Sequence, residues 1–94
     1  MKKKENKKAI ALKYDKKNYS APHVIAKGSG YIAEKIIDEA KQHDVNILED
    51  KALVQLLYNL ELNQQIPPHL YPIIAEVFAI VYRAEGVAGI LNER

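Results

Sequence analysis

The chain has 94 residues and a formal net charge of +2, which is room for one domain. Hydrophobic residues make up 48% of it, enough for a core, and the absence of cysteine excludes disulfides, thiolate nucleophiles and cysteine-ligated zinc. No apolar run approaches the roughly 18 residues of a membrane span. The lysine-rich start is not followed by the apolar stretch of a signal peptide, so a cytoplasmic protein without membrane insertion is expected.

The charge is uneven. Residues 1–17 hold eight lysines against Glu5 and Asp15, whereas residues 18–94 hold six Lys or Arg against ten Asp or Glu. Residues 1–8 read as a basic flexible tail, because like charges repel and little there is apolar. The tail has neither Arg nor aromatics, which argues against nucleic acid as a partner.

Ala9 to Tyr14 alternates, with Ile10, Leu12 and Tyr14 on one face: a half-buried strand. Asp15 to Pro22 is a loop. His23 to Lys27 is a short β-branched strand, ended by Gly28-Ser29-Gly30, where Ser29 or Gly30 can cap a helix. Residues 31–43 read as that helix, with Ile32, Ile36, Ile37 and Ala40 facing the core. Val45 to Leu48 is a third strand. Strand, helix and strand form a βαβ unit, expected to be right-handed with its two strands parallel.

Asp50 is placed to cap a second helix, in which Leu53, Leu56, Leu57 and Leu60 form the apolar stripe. A last helix is expected from Pro67-Pro68 to about Arg83, with a kink or restart at Pro72. In it Ile73, Ile74, Val77, Phe78 and Val81 can face a core. Residues 86–94 read as a C-terminal tail, which leaves residues 9–85 as a single domain. The fold class is α/β: a small three- to four-stranded sheet with a βαβ unit and about three surrounding helices.

Candidate chemistry is sparse. His23, His43 and His69 share no ligand spacing, so no metal site is expected. His43-Asp44 sits where a helix C-terminus favours a cation. Gly28-Ser29-Gly30 stands where phosphates bind, but Ala33 occupies the third glycine position of a dinucleotide fingerprint, and a helix start explains the turn better. No catalytic residue and no cofactor are assigned. The last helix is more informative. From Leu70 to Tyr82 its one charged residue is Glu76, and a helix apolar all round is either fully buried or shows a patch to a partner.

Several runs carry a resemblance. Ala11-Leu12-Lys13-Tyr14-Asp15, Ala21-Pro22 and Val24-Ile25-Ala26-Lys27-Gly28 resemble the "ALKYD…AP-VVAKG" run of the FlhB/YscU family of type III protein secretion. Val45 to Glu49, Leu53 to Tyr58, Gln64 to Pro67, Leu70-Tyr71 and Ala75-Glu76-Val77 continue the likeness over residues 9–83. The resemblance implies a free-standing counterpart of the cytosolic domain of FlhB, the substrate-specificity switch of flagellar export. The family cuts itself at Asn-Pro-Thr-His, and Lys4-Glu5-Asn6-Lys7 stands there instead, so self-cleavage is not expected.

The resemblance also implies a four-stranded sheet with one strand upstream of the cut. Lysines in residues 1–8 do not readily supply that strand, which leaves open a sheet of three strands with an unpaired edge beside the four-stranded one. Implied partners are flagellar export substrates, export-gate membrane proteins and the N-terminal fragment of an FlhB-type protein. The implied protein-binding patch is Ala21, Pro22, Ala75 and Phe78. Two other readings are a generic cytosolic adaptor of the same fold and a small hydrolase or nucleotide binder. The latter lacks a nucleophile–base pair and a phosphate loop.

Overall fold

The structure is a computed structural model that describes residues 7–14, 22–77, 79 and 87–91. Its elements are β1 (Lys8–Lys13), β2 (His23–Ser29), α1 (Tyr31–Gln42), β3 (Asn46–Glu49), α2 (Lys51–Leu57), a 3-10 turn (Pro68–Leu70) and β4 (Val87–Leu91). They form a four-stranded mixed sheet in the order β2-β1-β4-β3. β1 runs antiparallel to both neighbours, and β3 runs parallel to β4. The strands flanking α1, β2 and β3, therefore point the same way, as a βαβ unit requires, but β1 and β4 lie between them.

Strand alternation sorts the sheet into two faces. Ile10, Leu12, Val24, Ala88 and Ile90 meet Leu53, Val54 and Leu57 of α2, together with Leu60, Ile66, Leu70, Ile74 and Val77. Ala9 and Leu91 point the other way, onto Ala33 and Ile37 of α1. Each fully buried aliphatic side chain contributes about 1.5–3 kcal/mol of transfer free energy, so the α2 side carries most of the stability. One bulge interrupts the β1–β2 ladder. Ala11 pairs with Ala26 and Leu12 with Val24, which leaves Ile25 as the extra residue on β2.

Both ends of the domain differ from expectation. Residues 86–94 are not a tail: Val87–Leu91 is a strand between β1 and β3, with Ala88, Gly89, Ile90 and Leu91 all buried. The fourth strand thus comes from this chain's own later residues, which gives the four-stranded form of the expected three- to four-stranded sheet. At the other end Lys8 opens β1, and the Lys7 carbonyl accepts the Gly30 N–H at 2.8 Å, so the ordered fold begins before residue 9.

Helix faces are rotated from expectation. On α1, Ala33 is fully buried and Ile37 nearly so, while Ile32 is 59% exposed. The small Ala33 lets the helix approach Ala9 closely. On α2, Val54 is buried and Leu56 lies at the edge of exposure. Gly28 and Ser29 continue β2 instead of ending it, and the break falls at Gly30, whose φ of 62° and ψ of −127° suit glycine alone. Asp50 caps α2 as expected, its Oδ1 accepting the Leu53 N–H at 3.0 Å.

The last helix breaks where Pro72 predicts. The 3-10 turn ends at Leu70, turns run through residues 71–74, and helical residues resume at Ala75. Leu70, Ile74 and Val77 face the core at i, i+4, i+7 spacing, and Ile73, expected inside, is 57% exposed. Phe78 and residues 80–86 lie outside the described residues.

The end of α1 carries an improvable feature. Val45 N–H bonds to the Ala40 carbonyl at 2.8 Å across Asp44, which sits at φ 57°. This is the 6→1 closure that usually places glycine at the left-handed position. Asp44→Gly should raise stability by about 0.5–1 kcal/mol, by relieving the side-chain strain and removing a negative charge from the helix C-terminus. Urea denaturation of the two proteins checks this; an unchanged or lower midpoint would refute it.

Candidate functional site

Pro22 enters β2 and is fully buried. Its carbonyl accepts the Ile66 N–H at 2.8 Å. Val24 N–H bonds to the Gln64 carbonyl at 3.0 Å, and Asn63 N–H bonds back to the Val24 carbonyl at 2.6 Å. Residues 63–66 thus lie along the outer edge of β2 and cover its first half. Ile66 belongs to the same core as Leu70, Ile74 and Val77, so Pro22 is tied through Ile66 to the segment that leads into the last helix. Ala75 is exposed at the restart of that helix, with Pro72, Ile73, Glu76 and Ala79 also exposed. Of the four residues of the expected patch, Ala75 is exposed and Pro22 is buried. Ala21 and Phe78 lie outside the described residues.

Ala75 is exposed for a geometric reason. Ile74 and Val77 turn inward three residues apart, which points the intervening Ala75 and Glu76 to solvent. A methyl group there leaves the backbone of the helix accessible, and its replacement by a charge costs the fold little.

A second concavity was not legible in the sequence. An open cleft of about 850 Å³ lies between α1 and the sheet, lined by Ile25, Ile32, Ile36, Ala11, Ala26 and Gly89, with Lys35, Glu39 and His43 also contributing. It exists because the sheet presents small side chains on this face while α1 presents isoleucines. The size falls in the range of small-molecule pockets.

Among the described residues, groups with catalytic potential do not converge. His23 is buried in β2, His43 caps α1 with its ring Nδ1 2.9 Å from the Glu39 carbonyl, and His69 is in the 3-10 turn. Among the described residues no group of three or more His, Asp or Glu could hold a metal ion, and no helix is long and apolar enough to cross a membrane. The Gly30 N–H, which a phosphate loop would aim at a ligand, is bonded to the Lys7 carbonyl.

Lys27 has a structural task that local sequence hides. Its Nζ donates to the Tyr58 carbonyl at 3.0 Å and the Leu60 carbonyl at 2.7 Å, closing the C-terminal end of α2, and it lies 5.3 Å from the Tyr58 ring centroid. Lys8 lies 5.0 Å from the same ring. A cation at a helix C-terminus is favourable, but the partners are more than thirty residues away in sequence.

Comparison with known proteins converges on one family. The model of the FlhB HrpN YscU SpaS Family matches residues 6–81. YlqH of Bacillus subtilis is 46% identical over 78 residues, which is 83% of this chain and 84% of YlqH. The flagellar biosynthetic protein FlhB of Bacillus subtilis is 41% identical over 78 residues, 82% of this chain but 22% of that protein. FlhB of Salmonella typhimurium is 45% identical over 76 residues, 80% of this chain and 20% of that protein. The chain thus spans about a fifth of the length of these FlhB relatives.

Proposed function

Because this chain belongs to the FlhB HrpN YscU SpaS Family, we propose that it serves flagellar type III protein export as a non-enzymatic binding component on the cytoplasmic side. It binds export substrates, or the membrane portion of an FlhB-type partner, through a surface that includes Ala75. The observation that carries this reading is the extent of the likeness: more than 40% identity to FlhB proteins over about four-fifths of the chain. The matched segment takes in β1, β2, β3, α1 and α2. Export components act by selecting and passing on polypeptides, and the exposed start of the last helix, apolar but for Glu76, is a surface suited to that.

The patch residues carry the finer part of the proposal. Ala75 supplies the accessible floor. Pro22 is buried at the entry of β2, and it joins the patch, with Ala21 and Phe78, on the strength of the family motif. Ala75→Asp should leave the urea midpoint within about 0.5 kcal/mol of the parent, since an exposed substitution away from packed features is nearly neutral. The same change should weaken binding of early flagellar export proteins by about tenfold, or 1.4 kcal/mol. Circular dichroism and a pull-down or fluorescence titration on this one variant read both effects. Undiminished binding by a well-folded Ala75→Asp protein would remove the patch from the proposal, and no binding by the parent to any export protein would remove the role.

A further inference from the structure

α1 has two unlike flanks beside the buried line of Ala33 and Ile37. Glu34, Asp38 and Lys41 make one flank polar. Ile32, Ile36 and Ala40 form the other, four residues apart, so that they stack in a row along the helix. This row is one wall of the cleft on the α1 side of the sheet, and Ala11, Ala26 and Gly89 are its floor. Ile32 is exposed, Ile36 is half-buried, and Ile25 across the cleft is exposed as well. One helix, about 10–12 Å across, does not cover a sheet of four strands spaced about 4.8 Å apart. The uncovered floor carries no side chain larger than a methyl group, which leaves depth for side chains from outside.

The charges on this flank point to the occupant. Lys35 and Glu39, also four apart, border the apolar row and are exposed. A uniformly acidic or uniformly basic partner would match one of them and oppose the other. Both are matched when α1 meets a second α1 that runs the opposite way. With a two-fold axis beside Ile36, Lys35 of each copy comes opposite Glu39 of the other, so one residue pair yields two ion pairs. The apolar row matches itself in the same arrangement. Ile36 meets Ile36, and each Ile32 meets the small Ala40 of the other copy. Rows at four-residue spacing are the ridges that most often pack helix on helix. His43 and Asp44 then come beside the start of the other copy's α1, where a negative charge is favourable.

We infer that this flank of α1, with the cleft beside it, is a two-fold docking surface for a second copy of this chain. The contact is small, so the pairing is weak, with a dissociation constant on the order of 0.1 mM. The surface lies on the opposite face of the sheet from Ala75, whose neighbours Ile74 and Val77 pack on the α2 side. Pairing therefore leaves the proposed export patch open, and it is measured without any export protein.

The test is sedimentation velocity of the full chain in low-salt buffer, from about 10 μM to about 1 mM, a range that brackets that constant. Lys35→Glu and Glu39→Lys each put like charges at both contacts, and each should weaken self-association at least about tenfold. Both positions are exposed, and the exposed contact of Glu39 with His43 at 3.9 Å is worth little, so the urea midpoints should stay near that of the parent. The double variant Lys35→Glu/Glu39→Lys has opposite charges at both contacts again and should associate within about threefold of the parent. A mixture of the two single variants should form a heterodimer although neither pairs with itself. Ile32→Glu should abolish association. The inference is overturned if the parent stays monomeric over the whole range. Association that ignores the reversals would belong to another surface and overturns it too, as does weakening that neither the double variant nor the mixture restores. Saturable uptake of an apolar fluorescent probe by a chain that stays monomeric would assign the cleft to a small ligand instead.

Discussion

Ile90→Asp should destabilise the domain by more than about 4 kcal/mol. Ile90 is fully buried, pairs with Leu48 of β3 and Ile10 of β1, and belongs to the core on the α2 side. The substitution forfeits about 2–3 kcal/mol of transfer free energy and puts an unpaired carboxylate where burial costs several kcal/mol more. The sum exceeds about 4 kcal/mol, against a typical domain stability of about 5–15 kcal/mol. Ile90→Val should cost only about 1 kcal/mol, which separates the effect of charge from that of position. Urea denaturation followed by circular dichroism reads both variants. A stability change within about 0.5 kcal/mol for Ile90→Asp, as for a solvated tail, would mean that β4 is not in the sheet.

The same strand shows why part of the fold was hidden in the sequence. β1 was legible because Ile10, Leu12 and Tyr14 alternate with other residues and fall on one side. Val87-Ala88-Gly89-Ile90-Leu91 is covered on both faces and shows no alternation, which is how a fully covered strand reads. Four apolar residues around a glycine then look like a chain end. Asp50 and Pro72 were legible because a cap and a helix break are local chemistry. The helix faces were less so, since hydropathy ranks Ile32 above Ala33, whereas close approach to the sheet at Ala9 selects the smaller side chain. In the candidate site, the lack of charge pointed to the helix that exposes Ala75. The burial of Pro22 depends on residues 63–66 lying over β2, forty residues on, and no local pattern reports that. The cleft beside α1 depends on small residues from three strands meeting, which is likewise non-local.

Gly28→Ala should destabilise the domain by about 2–3 kcal/mol, as overpacking against a fixed neighbour does. The cause is space, not backbone conformation: among the described glycines the positive φ belongs to Gly30. A Cβ on Gly28 would overlap the Ile32 Cγ2 and stand 2.9 Å from the Ile32 Cβ. Ile32 is largely exposed, so its outer atoms can rotate away, but its Cβ is fixed to the helix backbone. Relief therefore requires α1 to move off β2, which loosens Ala33 and Ile37 against Ala9 and Leu91. Ile32→Ala alone should cost less than about 1 kcal/mol, because the side chain is mostly in water already. Combined with Gly28→Ala it should recover part of the loss, since Cγ2 is gone while Cβ remains, giving a coupling energy of about 1 kcal/mol or more in a double-mutant cycle. Gly30→Ala should be destabilising too, through its positive φ, and Ile32→Ala should not rescue it. Strict additivity of Gly28→Ala and Ile32→Ala would show that the two residues do not touch. The measured coupling would make the Gly28-Ser29-Gly30 run a packing and turn device, with one glycine chosen for closeness and the other for conformation.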